Sequence, residues 1–232
     1  MTGPAISTLL GLVAVCMLII APSTAQDNAI EVENLIESCV TDYNEDMDYF
    51  PEKVEVTHAE NFTVEYFNNY KLVTVISSLG ETIEYALVQC GTPTPDDLSD
   101  DTSVIEVPVD NAITLSTTHT VHMVELGLLD QLVGMDSFLY ISSPDVRELI
   151  EENALVEVAP NFELNLEILL EAEPGIVTSG DFNPDQITLL QDAGLNVALN
   201  TEYLETSALG SAEWLKYTAL FFNAEGADSE RF

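Results

Sequence analysis

The chain has 232 residues, enough for one or two domains, and its 47% hydrophobic content supplies a core that a disordered acidic tail would lack. It carries 5 Lys+Arg against 41 Asp+Glu, a formal net charge of -36. Such a surface repels phosphate backbones and anionic membranes, which excludes nucleic-acid binding. It also repels itself, unless salt at roughly 0.5 M or above shortens the screening length to about 4 Å or less. An acid-rich, lysine-poor chain of this kind suits a saline exterior.

Ala5 to Ala21 is a nearly uninterrupted apolar run, followed by Pro22-Ser23-Thr24-Ala25. Ser23 and Ala25 fit a signal-peptidase site with cleavage before Gln26, so residues 1–25 read as a signal peptide and the protein as periplasmic or extracellular. No Lys or Arg precedes the run, and its length is only just short of a full span, so an uncleaved membrane anchor is the alternative. Cys16 lies inside the run, but Val15 stands before it where a lipoprotein signal wants a small residue. The remaining cysteines are Cys39 and Cys90. Two cysteines in an exported chain favour a disulfide, closing a loop of about 50 residues and contributing roughly 3–4 kcal/mol; the alternative is two buried thiols. Asn61-Phe62-Thr63 is an N-glycosylation sequon, which has meaning in a eukaryotic source.

Residues 26–103 read as a small β-rich extension with an acidic linker. Lys53–Thr57 and Phe62–Phe67 alternate apolar and polar, Asn68-Asn69 offers a turn, Tyr70–Ile76 returns, and Thr82–Gln89 makes a further strand. Gly91-Thr92-Pro93-Thr94-Pro95 and the acidic run Asp96–Asp101 then break the chain as a linker or exposed loop.

From 104 to 210 the period changes to alternating strand and helix. Val104–Val109 and Ala112–Leu115 read as strands, and Ser116-Thr117-Thr118 as N-cap candidates for a helix whose apolar face is Val121, Val124, Leu126 and Leu128. Leu132–Met135 follows as a strand, then a helix from Pro144 through Ile150, a helix at Leu164–Glu171, a strand at Ile176–Ser179, a helix at Pro184–Ala193 and a strand at Asn196–Leu199. The expected fold is α/β, a parallel sheet with flanking helices preceded by a small antiparallel unit. Ligands in such sheets sit beyond the carboxyl ends of the strands, here Ser116–His119, Asp136–Tyr140, Ser179–Asp181 and Thr201–Tyr203. No glycine-rich phosphate loop, nucleophile elbow or placeable Ser/His/Asp set is present, so no enzymatic activity is expected.

Several stretches resemble the iron-siderophore and cobalamin class of ABC-importer substrate-binding proteins, in the style of the ferric-dicitrate-type members. They are Ala112-Ile113-Thr114-Leu115-Ser116-Thr117-Thr118-His119, Glu125-Leu126-Gly127-Leu128-Leu129-Asp130-Gln131-Leu132-Val133-Gly134-Met135, and Asn165-Leu166-Glu167-Ile168-Leu169 with Glu173-Pro174-Gly175-Ile176-Val177. Ala193-Gly194-Leu195-Asn196-Val197 and the stretch from Ala208 through Trp214 to Tyr217 complete the set, in the family's order and over about half of the chain. The resemblance implies two α/β lobes joined by a long helix with the ligand between them. It reads 104–210 as the first lobe and 211–232 as the start of the inter-lobe helix, with the second lobe missing. It further implies a monomer, an ABC permease as partner, and a metal chelate as ligand: a ferric siderophore, ferric citrate, cobalamin or haem. No tightly bound cofactor is implied.

Ser116, Thr117 and His119 open a helix facing the expected cleft, and Tyr140, Phe162, Tyr203 and Trp214 are aromatic candidates for lining it. Glu167 matches the family's exposed glutamate that pairs with a permease arginine. His119 and His122 form an H-x-x-H pair without a third ligand nearby, so no metal site is expected. Arg147 and Lys216 are the only basic residues between Val104 and the Arg231 tail, which disfavours an anionic ligand on this lobe. The competing reading is a secreted acidic interaction protein whose β unit is the active part and whose α/β lobe is a remnant with no transport role. The charge balance itself makes a prediction: the thermal midpoint should rise from dilute buffer to salt above roughly 0.5 M, and a midpoint indifferent to salt would remove the argument for a saline exterior.

Overall fold

Alternation of buried and half-buried side chains builds the first sheet. β1 (Phe62–Tyr66), β2 (Tyr70–Ile76) and β3 (Thr82–Gln89) form an antiparallel meander with turns at Asn68-Asn69 and over residues 77–81. In β2 the buried positions are Lys71, Val73 and Val75, every second residue, as a half-buried strand requires. The computed structural model describes Met1 and residues 33–228, so the signal-peptide reading, Cys16 and Arg231 lie outside the described residues. Cys39 and Cys90 form the expected disulfide. Beside it, Val40 N donates to Cys90 O, and a side chain at Gly91 (φ +79°) would collide with Val40 O, so only glycine fits there.

Two strand expectations are corrected. Lys53–Thr57 is in neither sheet. Its alternation is real, since Val54 and Val56 pack on the core, but its amides turn to side chains: Val54 N donates to Tyr66 Oη and Thr57 N to Glu213. The strand expected at Val104–Val109 is β4 (Ser103–Val107), and it belongs to the first sheet, paired parallel with β3 from Tyr85↔Ser103 to Gln89↔Val107. Its inward residues Ile105 and Val107 join the core of Tyr85 and Leu87, and residues 90–102 supply the long crossover that a parallel pair needs. The Pro- and Asp-rich stretch is therefore an internal crossover, and the boundary drawn at 104 cuts through a sheet.

The second sheet is entirely parallel. Its strands β5 (Ala112–Thr114), β6 (Leu132–Met135), β7 (Val156–Glu157), β8 (Ile176–Ser179) and β9 (Val197–Leu199) lie in the order β7-β6-β5-β8-β9. Between them run α1 (Thr117–Glu125), α2 (Pro144–Glu151), α3 (Leu166–Glu171) and α4 (Pro184–Asp192). The side chains of Ser116, Asn165 and Asn183 cap α1, α3 and α4, and proline opens α2 and α4. The fold is thus α/β, a helix-flanked parallel sheet with a small antiparallel sheet. The chain moves outward from β5 to β7, then crosses back to β8 and β9, so right-handed crossovers put α1 and α2 on one face and α3 and α4 on the other. The strand order reverses between β5 and β8, which makes the crevice beyond their carboxyl ends the topological switch point.

Of the face expected for α1, Leu126 and Leu128 are buried and Val124 packs on the core, but Val121 is half exposed, and His119, Thr120, His122 and Met123 are buried as well. The reason is α5 (Ala208–Phe221), which packs against α1 and carries Thr218, whose hydroxyl meets His122 Nδ1 at 3.0 Å. On its other side α5 lies on the first sheet, with Trp214 and Tyr217 against Phe62 and Phe221 against Tyr85. Expected at 211–232 as the start of an inter-lobe helix, α5 is buried on nearly every side, and each polar group on it needs a partner. Glu213 accepts from the backbone amides of Thr57, His58 and Ala59 and from Lys216 Nζ. At the other end Lys71 Nζ, fully buried, donates to Leu220 O, Asn223 Oδ1 and Glu225 Oε1. Glu225 opens the short α6 (Glu225–Asp228).

Burial alone would raise the pKa of Glu213, but the three amides and Lys216 outweigh it and bring it down to about 2. A depressed carboxylate stabilises the fold above its unfolded value and loses that contribution as the pH falls through its folded value. We therefore expect Glu213→Gln to cost roughly 2 kcal/mol at neutral pH. The variant should also lose part of the acid-unfolding limb between about pH 4.5 and 2, as followed by circular dichroism.

Candidate functional site

The carboxyl edge of the parallel sheet gathers the protein's unusual side chains. After β5, Ser116 caps α1 and places His119 in its first turn, 3% exposed. His119 Nε2 lies 3.4 Å from Glu202 Oε2, an ion-pair distance without hydrogen-bond geometry, while Glu202 Oε1 accepts from Thr118 Oγ1 at 2.6 Å. Glu202 itself comes from the turn after β9. Burial pushes its pKa up, yet the His119 ring and the Thr118 hydroxyl outweigh that and hold it below the usual carboxylate range. Behind His119, burial and then the neighbouring His119 lower His122 to about 4, so His122 is neutral at physiological pH.

Among the described residues six buried polar atoms make no hydrogen bond, and four of them, His119 Nδ1, Asp136 Oδ1, Thr178 Oγ1 and Glu202 Oε2, belong to residues at or near this edge. Buried polar atoms are almost always paired, so these four make the edge a candidate to meet polar groups of a ligand. Asp136 follows β6 and lines a recess of about 170 Å³ with Leu115, Ser137, Phe162, Leu164 and Gln186. Burial raises its pKa. Among the described residues no group of three or more His, Cys, Asp or Glu has the arrangement of a metal site.

Exposed aromatic rings rim the same edge in two pairs. Tyr140 and Phe162, 66% and 68% exposed, have ring centroids 6.2 Å apart. Phe182 and Tyr203 stack at 4.3 Å, and Phe182 is 75% exposed. Tyr203 Oη donates to Asp181, which also accepts from Ser78 N, so the hairpin tip of the first sheet is tied to the rim. These bonds outweigh burial and lower the Asp181 pKa; burial and then Asp181 push Tyr203 up to about 12. Phe162 has φ +65° and the preceding Asn161 φ +59°. For a bulky residue such as phenylalanine this backbone costs about 1–3 kcal/mol and persists where the surroundings enforce it.

No protein-family model matches the chain. An uncharacterized lipoprotein of Methanocaldococcus jannaschii is 25% identical over 174 residues, 73% of this chain and 44% of its own length. A second from the same organism matches over 33% of its length, so the chain spans less than half of the curated relatives it matches. Among solved structures, the periplasmic vitamin B12 binding protein BtuF of Vibrio cholerae is 19% identical, with 53% of this chain and 48% of that one covered and a TM-score of 0.37. The molybdate periplasmic binding protein MolA of a Haemophilus influenzae ABC transporter is 17% identical, with 68% and 48% covered and a TM-score of 0.46. At these values the likenesses decide neither family nor ligand.

The structure brings Ser116, Thr117, His119, Tyr140, Phe162 and Tyr203 to the carboxyl edge, with His119 beneath the surface and the aromatic rings upon it. Trp214 is elsewhere. It is fully buried on α5 against Phe62, its Nε1 donating to Glu205, and it has no surface to offer a ligand. Glu167 is exposed in the first turn of α3, where Asn165 Oδ1 accepts from its amide. Phe182 was missed; it stands one residue beyond Ser179–Asp181, and only the stacking on Tyr203 reveals it. If the strain at Phe162 serves presentation of its ring, Phe162→Gly should leave stability unchanged or raise it by up to about 1 kcal/mol while weakening ligand binding. Loss of more than that amount in a denaturant titration would show that the ring is held for packing.

Proposed function

We propose that this chain supplies one wall of the ligand cleft in an extracytoplasmic solute-binding component of an ABC importer, capturing a metal chelate and performing no chemistry on it. The observation that supports this reading best is the coincidence, near the topological switch point, of four buried polar atoms without a hydrogen bond and two exposed aromatic pairs. Binding sites pair an apolar wall with a few fixed polar groups, and this edge has both. The sequence resemblance to the siderophore and cobalamin class supports the ligand class: ferric siderophores, or a related chelate such as ferric citrate, cobalamin or haem. The 25%-identical relatives are named lipoproteins, in keeping with an extracytoplasmic or membrane-anchored protein. Glu167 fits the permease-docking role, being exposed on a short helix whose first turn is fixed by its cap. The reading of the β unit as an independent interaction module fares worse, because that sheet shares its core with the α/β lobe through α5.

Equilibrium dialysis of the purified chain against iron-loaded hydroxamate siderophores and against cobalamin tests the capture step. Retention at micromolar concentration, weakened tenfold or more by Tyr140→Ala with Phe182→Ala, is the expected outcome. Retention of none of these ligands, or retention indifferent to the rim, would overturn it. Trp214 fluorescence is the wrong reporter, since the indole is sealed in the core. In cells that depend on the protein for uptake, Glu167→Arg should abolish transport while leaving ligand retention intact.

A further inference from the structure

The chemistry of the rim narrows the ligand beyond the class just proposed, on which this step rests. The segments that follow the five strands are Leu115–His119, Asp136–Ser143, Val158–Asn165, Gly180–Asn183 and Asn200–Ser207, and none contains Lys or Arg. They contain Asp136, Glu163, Asp181, Glu202 and Glu205. Of the other basic residues among those described, Lys53 pairs with Asp48, Lys71 with Glu225 and Lys216 with Glu213, while Arg147 is exposed on α2, outside these segments.

Within this acidic edge one place has the shape of a subsite. The recess at Asp136 is about 170 Å³, too small for a whole chelate and large enough for a protonated amine with part of its stem. Its carboxylate offers Oδ1 without a partner, and Ser137 Oγ cannot serve it, because that hydroxyl donates to Glu157. Phe162 lines the recess, and its ring lies tilted beside that of Tyr140 at the surface. Asp136 and Phe162 line the same recess, and a carboxylate together with an aromatic ring favours a cation, through charge-assisted hydrogen bonding and attraction to the ring. An anionic group in the same place would meet the half-buried Asp136 carboxylate and, among the residues lining the recess, no guanidinium. We propose that the recess lined by Asp136 and Phe162 receives a protonated amino group, and that the ligand of this edge is a metal chelate of net positive charge.

The distinction from general attraction matters, because a chain of net charge -36 concentrates every cation near its surface. The test therefore uses a pair of ligands differing only in the amine, in salt of roughly 0.5 M where the long-range field is screened. Ferrioxamine B carries a free ammonium group on its iron hydroxamate; its N-acetylated form carries none. Calorimetric titration of the full chain should show the ammonium form binding at least tenfold more tightly. Asp136→Asn should remove that preference by weakening the ammonium form alone, whereas Asp96→Asn with Asp97→Asn, on the β3–β4 crossover, should preserve it. Equal affinity for the two forms, or loss of the preference in the crossover variant, overturns the proposal. Tighter binding of ferric citrate than of either form overturns it while leaving chelate capture standing. Binding of no chelate at all overturns the capture reading and this proposal together. Circular dichroism of each variant separates a lost subsite from a lost fold.

Discussion

Everything in this molecule depends on α5 being buried on both sides. A helix in that position has no solvent to satisfy its polar groups, so the neighbours must do so. Glu213 draws the 57–59 turn onto the helix, and Glu205, just before it, accepts from the amides of Glu60 and Asn61. Lys71 closes the far end, its ammonium set against the last carbonyls where the helix dipole favours positive charge. These contacts explain how a lysine comes to occupy a core position of β2. They also explain why two acids occur in a stretch of helix and turn that otherwise reads as apolar.

From this helix the rest of the architecture follows in both directions. Towards the first sheet, Phe62, Tyr85, Trp214, Tyr217 and Phe221 form one aromatic cluster. Towards the second, Thr218 engages His122, and His122 backs His119 at the ligand edge. The polar floor of the crevice is thereby coupled to the core, while the rings at its rim stay exposed.

Much of this was legible in the sequence, because it is local. The period-2 stripes of β1 to β3, the cap Ser116, the proline starts of α2 and α4, and the disulfide all follow from residue type and spacing. What failed was tertiary. The alternation at Val104–Val109 gives a strand but not its partner, and pairing with β3 is settled by which core Ile105 and Val107 join. β7 has only two residues, too few to carry a period. The face of α1 was read too narrowly, because His119 and His122 look polar in a sequence, yet here they are buried against α5 and the turn after β9. Trp214 looked like a ligand contact for the converse reason, since aromatic residues on a helix do not announce which side has solvent. Glu202 lay within the strand-end stretch read from the sequence, but its approach to His119 spans more than 80 residues and has no local signature.

The bond network of Asp181 carries a consequence for how such a protein can be rebuilt. Asp181 holds Ser78 of the hairpin tip and Tyr203 of the rim at once, while the opposite end of the same sheet is bound to the 33–52 segment through Cys39–Cys90 and through Asn68, which donates to Glu45 O. The small sheet is therefore a brace fixed at both ends. Grafting the parallel-sheet lobe alone onto another scaffold would strip α5 of its cover and release the rim together. A transferable unit has to begin near residue 33, not at the start of the α/β pattern.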